Sequence, residues 1–149
     1  MRRIAISDIH GCYKTFQYLI QEIIQLKLED KLYLLGDFID RGPGSKQVID
    51  LVLEMQNTGF QVECTLGNHE VMMMDARTDL KESRRWMLNG GLQTMDSFNV
   101  GNLSDIGEKY WAFFERYCFF ECVVLYLIHC FGLLPFCNLD LFGLDLYYR

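Results

Sequence analysis

The chain has 149 residues, half of them apolar and 23% charged, which excludes a disordered polypeptide and fits one domain with a real core. A net charge of −6 argues against a nucleic-acid backbone or an anionic membrane surface as the main partner. It leaves room for a small phosphorylated substrate, because a local metal cluster can outweigh the global sign.

Residues 3–7 read as a first buried strand, ending at Asp8-Ile9-His10-Gly11. Phe16, Leu19, Ile20, Ile23 and Ile24 then fall at helical spacing on one face. Residues 31–35 form a second apolar run, ending at Gly36-Asp37-Phe38-Ile39-Asp40-Arg41-Gly42-Pro43. Ser45 is the expected N-cap of a helix with Val48, Leu51, Val52 and Met55 as its stripe, and Gly59 is its expected stop. Residues 61–66 read as the third strand, ending at Gly67-Asn68-His69-Glu70. One helix is expected over 70–86, with Met72, Met73 and Met74 as core filler, a turn at Asn89-Gly90-Gly91, and another helix over 104–117 with Tyr110, Trp111, Phe113 and Phe114 inward.

From Cys118 the composition shifts: four of six cysteines lie in the last 32 residues and no lysine follows Lys109. Val123 to Ile128, ending at His129, reads as a fourth buried strand. Glu121, His129 and Pro135 interrupt the apolar run too often for a membrane span. Met1-Arg2-Arg3 leads straight into a strand-like segment too short for a signal-peptide core, and the cysteines (12, 64, 118, 122, 130, 137) show neither CxxC nor zinc spacing. A cytoplasmic chain with reduced thiols is expected.

The three polar clusters recur 29 and then 31 residues apart, from Asp8 to Asp37 to Asn68. That is one strand–helix–strand unit, roughly 30 residues. Right-handed crossovers make the strands parallel and gather Asp8, His10, Asp37, Asp40, Arg41, Asn68 and His69 at one edge. Alternation of side chains puts Asp8 and His10 on the same side of a strand end. Carboxylate, imidazole and amide ligands suit manganese, zinc or iron. A carboxylate such as Asp37 can bridge two ions about 3.5–4 Å apart, lowering the pKa of a shared water and clamping a phosphate. Arg41 could hold phosphate oxygens through its planar fork, and His69, oriented by Asp40, could donate a proton to the leaving oxygen.

Each feature has a plainer reading: Asp8 as a helix cap, Asp40 paired with Arg41 in a loop, His69 as a helix-start residue. Glu70 is read as favourable to a helix N-terminus rather than catalytic. The conjunction of three clusters at unit spacing outweighs these.

The motifs Asp8-Ile9-His10-Gly11, Gly36 to Pro43 and Gly67-Asn68-His69-Glu70 resemble those of the calcineurin-like metallophosphoesterases. The Asp40-Arg41-Gly42 form and the Trp86…Asn89-Gly90-Gly91…Thr94 stretch are similar to its bacterial serine/threonine-protein-phosphatase branch, which also includes dinucleoside-tetraphosphate hydrolases. The resemblance covers residues 3 to about 98. It implies Asp8 and His10 on one metal, Asp37 bridging two, Asn68 on the second and close to substrate, and His129 as a later ligand. It further implies Asp40 and His69 as the acid pair and Arg41 as phosphate clamp, with two divalent ions, manganese foremost and iron or zinc as alternatives. The implied fold is α/β: the N-terminal half of a two-sheet sandwich, βαβαβ with a strand-end active site.

The family's further Gly-His-Thr-like histidine and second phosphate-binding arginine have no counterpart here, since the histidines are 10, 69 and 129 only. One incomplete domain over 1–149 with an atypical segment 118–149 is therefore expected, as from a truncated or frame-shifted product lacking most of the second sheet. The expected activity is hydrolysis of phosphomonoesters, on a phosphoprotein or small phosphoester. The alternatives are a dinucleoside-tetraphosphate hydrolase and an inactive fragment or metal- and phosphate-binding module.

Overall fold

The computed structural model describes residues 1–117, so the expected strand ending at His129 lies outside the described residues. Three short runs pair as a parallel sheet in the order β1 (Arg3–Ile6), β2 (Lys31–Leu35), β3 (Gln61–Thr65). Ile4 faces Leu32, which faces Val62, and Ile6 faces Leu34, which faces Cys64. With the strands in sequence order, right-handed crossovers lay both connecting helices on one face. The apolar row Leu32, Leu34, Val62 and Cys64 packs there with Phe16 and Ile20 from the first connection and Val48 and Val52 from the second. The opposite face carries polar residues, among them the ion pair Lys31–Glu63.

β1 departs from expectation. Its residues alternate between exposed and half-buried, whereas β2, which has a strand on each side, is buried along its middle.

The first connection departs too. Helix α1 (Tyr13–Tyr18) runs into a π-helical turn, Leu19–Ile23. Ile24 N–H donates to Leu19 O at 2.8 Å and Leu26 N–H to Ile20 O at 2.9 Å, which inserts one residue into the helical count. Ile23 is thereby turned out, 63% exposed, and Leu26 packs against the core instead.

Helix α2 (Ser45–Asn57) has Gly44, not Ser45, as its N-cap; Ser45 is the first helical residue and is fully buried. Gly59, φ +92°, follows its end as expected. Residues 68–86 form two helices, α3 (Asn68–Asp75) and α4 (Leu80–Trp86). Asp79 splits them by capping α4, accepting the Lys81 N–H at 2.7 Å, a preference of Asp at helix starts that wins over the continuous pattern. A kink over Met87–Gly91 joins α4 to α5 (Leu92–Phe98), with Gly90 at a non-helical φ of 112°. A 3-10 turn at Leu103–Asp105 precedes α6 (Glu108–Glu115), which buries Tyr110, Trp111, Phe113 and Phe114. Met73 is buried with Met72 and Met74 packed beside it. Cys12 and Cys64 are free thiols, and no described helix is long and apolar enough to cross a membrane.

Candidate metal and phosphate site

All three strands end at one edge, and the loops that follow are knitted together by main chain. His10 N–H donates to Asp37 O and Gly11 N–H to Phe38 O, both at 2.8 Å, and Gly42 N–H returns to His10 O at 2.9 Å. Among the described residues, seven non-glycine residues have left-handed φ, and five are at this edge: Asp8, His10, Asp37, Asp40 and Arg41. Each costs on the order of 1 kcal/mol or more and persists only where its surroundings impose it. Asp8 and His10 are therefore turn residues beyond β1, not strand residues, yet they still reach the same point.

Glu70 ties the second and third of these loops together. Its carboxylate is fully buried. One oxygen accepts Phe38 N–H at 2.8 Å and Ile39 N–H at 3.2 Å, and the other accepts Asp37 N–H at 2.9 Å and Gly67 N–H at 2.8 Å. The bond to Gly67 is the helix-start role expected of Glu70; the three bonds to residues 37–39 are not visible in local sequence. Burial pushes the carboxyl up to about 7, against the pull of these donors towards the ionised form.

Asp8, His10 and Asp37 each offer a ligand atom within 4.8 Å of the others. His10 Nδ1 lies 3.0 Å from Ile39 O, so that nitrogen carries the proton and donates, leaving the Nε2 lone pair towards the cluster. Two carboxylates and one imidazole lone pair, with a carbonyl fixing the tautomer, form a donor set suited to a borderline divalent ion. Asp37 Oδ1 also accepts His69 N–H at 3.1 Å. Asn68 is exposed at the first residue of α3, beside this group in sequence.

Asp40 does not pair with Arg41. It is fully buried, and its Oδ2 accepts from His69 Nδ1 at 2.7 Å. Trp86 Nε1 donates to both Asp40 oxygens, at 3.1 and 2.9 Å, and Thr94 Oγ1 donates to Oδ1 at 2.7 Å. Burial raises the Asp40 carboxyl from its ordinary value, while the hydrogen bonds from Thr94, His69 and Trp86 oppose that. Arg41 spans the two imidazoles, Nη1 to His10 Nε2 at 2.8 Å and Nη2 to His69 Nε2 at 3.0 Å. The two rings meet edge-on with centroids 4.8 Å apart.

The structure thus brings Asp8, His10, Asp37, Asp40, Arg41 and His69 together, with Asn68 at the next helix start. His129 lies outside the described residues. The pocket around Asp40 is built by Trp86 and Thr94, to which sequence reasoning gave no role at the site, and by Ser45, which it read only as a helix cap. The only sequence signal for two of them is the Trp86…Thr94 spacing itself.

A family model for calcineurin-like phosphoesterases matches residues 1–141. The chain is 31% identical over 80 residues to a symmetrical bis(5'-nucleosyl)-tetraphosphatase of Buchnera aphidicola, covering 54% of this chain and 28% of that protein. It is 37% identical over 86 residues to serine/threonine-protein phosphatase 1 of Salmonella typhimurium, covering 58% and 37%. Against the zinc-dependent endopolyphosphatase of Saccharomyces cerevisiae the figures are 35% over 98 residues, 65% and 29%. The matched region thus spans between 28% and 37% of the length of these relatives.

Proposed function

The chain belongs to the calcineurin-like phosphoesterase family, and from that premise we propose that its strand-end site hydrolyses phosphomonoesters with two divalent ions. The observation that carries the reading is the convergence of Asp8, His10 and Asp37 within 4.8 Å, beside a guanidinium. In this reading Asp8 and His10 would hold one ion, Asp37 would serve both, and Asn68 would serve the second ion and the substrate. When bound, the ions supply the charge that ionises a water at neutral pH and draws electron density from the phosphoryl oxygens. Manganese is the first choice, with iron or zinc as alternatives.

The chain's own residues do the rest. Arg41 turns from the two imidazoles to phosphate oxygens, for which its planar fork is suited. His69, with Nδ1–H held by Asp40, presents Nε2 to the site and donates a proton there to the leaving oxygen once it is protonated. The preferred substrate class is a serine/threonine phosphoprotein or small phosphoester, favoured by the likeness to the Salmonella phosphatase. A dinucleoside tetraphosphate is the second reading, favoured by the likeness to the Buchnera tetraphosphatase. Nucleic acid and membrane are not proposed partners, given the net charge of −6.

The test is hydrolysis of p-nitrophenyl phosphate with added manganese, wild type against Asp37→Asn. Manganese-dependent turnover that the substitution abolishes supports the reading. No turnover by the wild type, or an equal rate in the variant, overturns it.

A further inference from the structure

We propose that Trp86 and Thr94 are positioning residues of the site, holding the Asp40 carboxylate, and through it the His69 ring, in one orientation. The inference rests on the reading of His69 as proton donor, but the geometry behind it stands separately. Asp40 is 0% exposed and lies 46 residues from Trp86 and 54 from Thr94. Both carboxylate oxygens nonetheless accept hydrogen bonds from that distant segment before His69 is counted. Thr94 Oγ1 donates to Oδ1 at 2.7 Å and accepts the Asp40 N–H at 2.9 Å, so one hydroxyl fixes both the side chain and the backbone of Asp40. Ser45 Oγ, 3.0 Å from Thr94 Oγ1, shares the same N–H at 3.1 Å. The Trp86 indole N–H is shared between the two oxygens. Together these bonds set the plane of the carboxylate, leaving Oδ2 a single free direction, which His69 Nδ1–H fills at 2.7 Å.

The segment is also pressed against this pair by its main chain. Gly90, at φ +112°, lies where a Cβ would come within 2.7 Å of Arg41 N and 3.2 Å of Asp40 Cβ. Gly91 packs directly on the Trp86 ring. The connection from α4 to α5 is therefore a floor under Asp40 and Arg41 rather than a simple turn.

Satisfying a buried carboxylate would need donors; it would not need them to control the proton on a neighbouring imidazole. Two measurements separate these roles, using Thr94→Val, Thr94→Ser and Trp86→Phe. First, at one pH and without metal, long-range proton–nitrogen NMR of the ring nitrogens reads the tautomer of His69, one of only three histidines. The wild type is expected to show a fixed Nδ1–H. Thr94→Val and Trp86→Phe should lose it to tautomer exchange, and Thr94→Ser, which keeps the hydroxyl, should restore it. Second, kcat is compared for phenyl phosphate, a poor leaving group, and p-nitrophenyl phosphate, a good one. A general acid contributes about 100- to 10,000-fold where the leaving group needs protonation, so the ratio should fall by more than about tenfold in Thr94→Val and recover in Thr94→Ser. A wild-type tautomer in Thr94→Val overturns the proposal whether or not the chain turns over substrate. An unchanged leaving-group ratio in an active enzyme overturns it as well. Absence of wild-type turnover counts against the phosphatase reading alone, and the NMR result then decides the positioning role.

Discussion

The Glu70 carboxylate accepts the backbone N–H of Asp37 at 2.9 Å, so a residue in the first turn of α3 fixes the main chain of a residue in the second loop. The same carboxylate also takes the N–H groups of Phe38 and Ile39, so one buried side chain holds three consecutive N–H groups of the second loop, starting at the left-handed Asp37. Replacing it with Gln puts an amide donor against backbone donors. Glu70→Gln should therefore weaken divalent-metal affinity by about ten- to a hundredfold, as loss of an outer partner of a metal ligand commonly does. Isothermal titration with manganese checks this; unchanged affinity would show that the loop holds itself.

Glu70 also gives the apo protein a pH signature. Its carboxyl is pushed from an ordinary 4.5 up to about 7 by burial. Between those values the folded chain binds the proton more tightly than the unfolded chain, so stability falls as pH rises through the window and levels off above it. The effect is on the order of 3 kcal/mol. Denaturation in chelator from pH 4.5 to 7.5 should show this decline in the wild type. Glu70→Gln, having no proton to lose, should lack that part of the slope.

Gly67 carries a steric prediction. A Cβ there would overlap Asp37 Oδ1 and come within 2.5 Å of Asp37 N. Gly67→Ala should lower stability by more than about 2 kcal/mol and displace the Asp37 carboxylate from the cluster. Denaturant melts together with manganese titration check both effects; a folded variant with wild-type metal binding would contradict this packing.

Much of this site is legible in the sequence for a simple reason. Strand, helix and loop lengths repeat at about 30 residues, so Asp8, Asp37 and Asn68 fall at one edge whatever the details of packing. What stays hidden depends on contacts between distant residues or on small irregularities. Trp86 and Thr94 meet Asp40 across 46 and 54 residues, and nothing local to either one reveals it. Glu70 reads locally as a helix-start acid, and that is half of what it does. The π turn after α1 moves Ile23 out of an apolar stripe that a 3.6-residue period keeps in, and Asp79 interrupts a pattern that is continuous in hydrophobicity. Ser45 shows the reverse case: its residue type fits a cap, but its hydroxyl is used to hold Asp40 instead.

Arg41 directs its two terminal nitrogens at His10 Nε2 and His69 Nε2, at 2.8 and 3.0 Å, and the same planar fork can take two oxygens of one phosphate. Lysine keeps the charge and loses the fork. Hydrogen bonds to charged groups are worth about 1.5–3 kcal/mol, so Arg41→Lys should raise KM for p-nitrophenyl phosphate about tenfold to a hundredfold. Steady-state kinetics at saturating manganese reads this, and an unchanged KM would remove Arg41 from phosphate binding.

The most direct measurement is calorimetric titration of manganese into the wild-type chain and into Asp37→Asn. The expected result is saturable binding by the wild type that weakens by more than about tenfold in the variant, because Asp37 would supply a ligand to both ions. Equal isotherms for the two proteins, or no binding by the wild type, would contradict a metal site built on Asp8, His10 and Asp37.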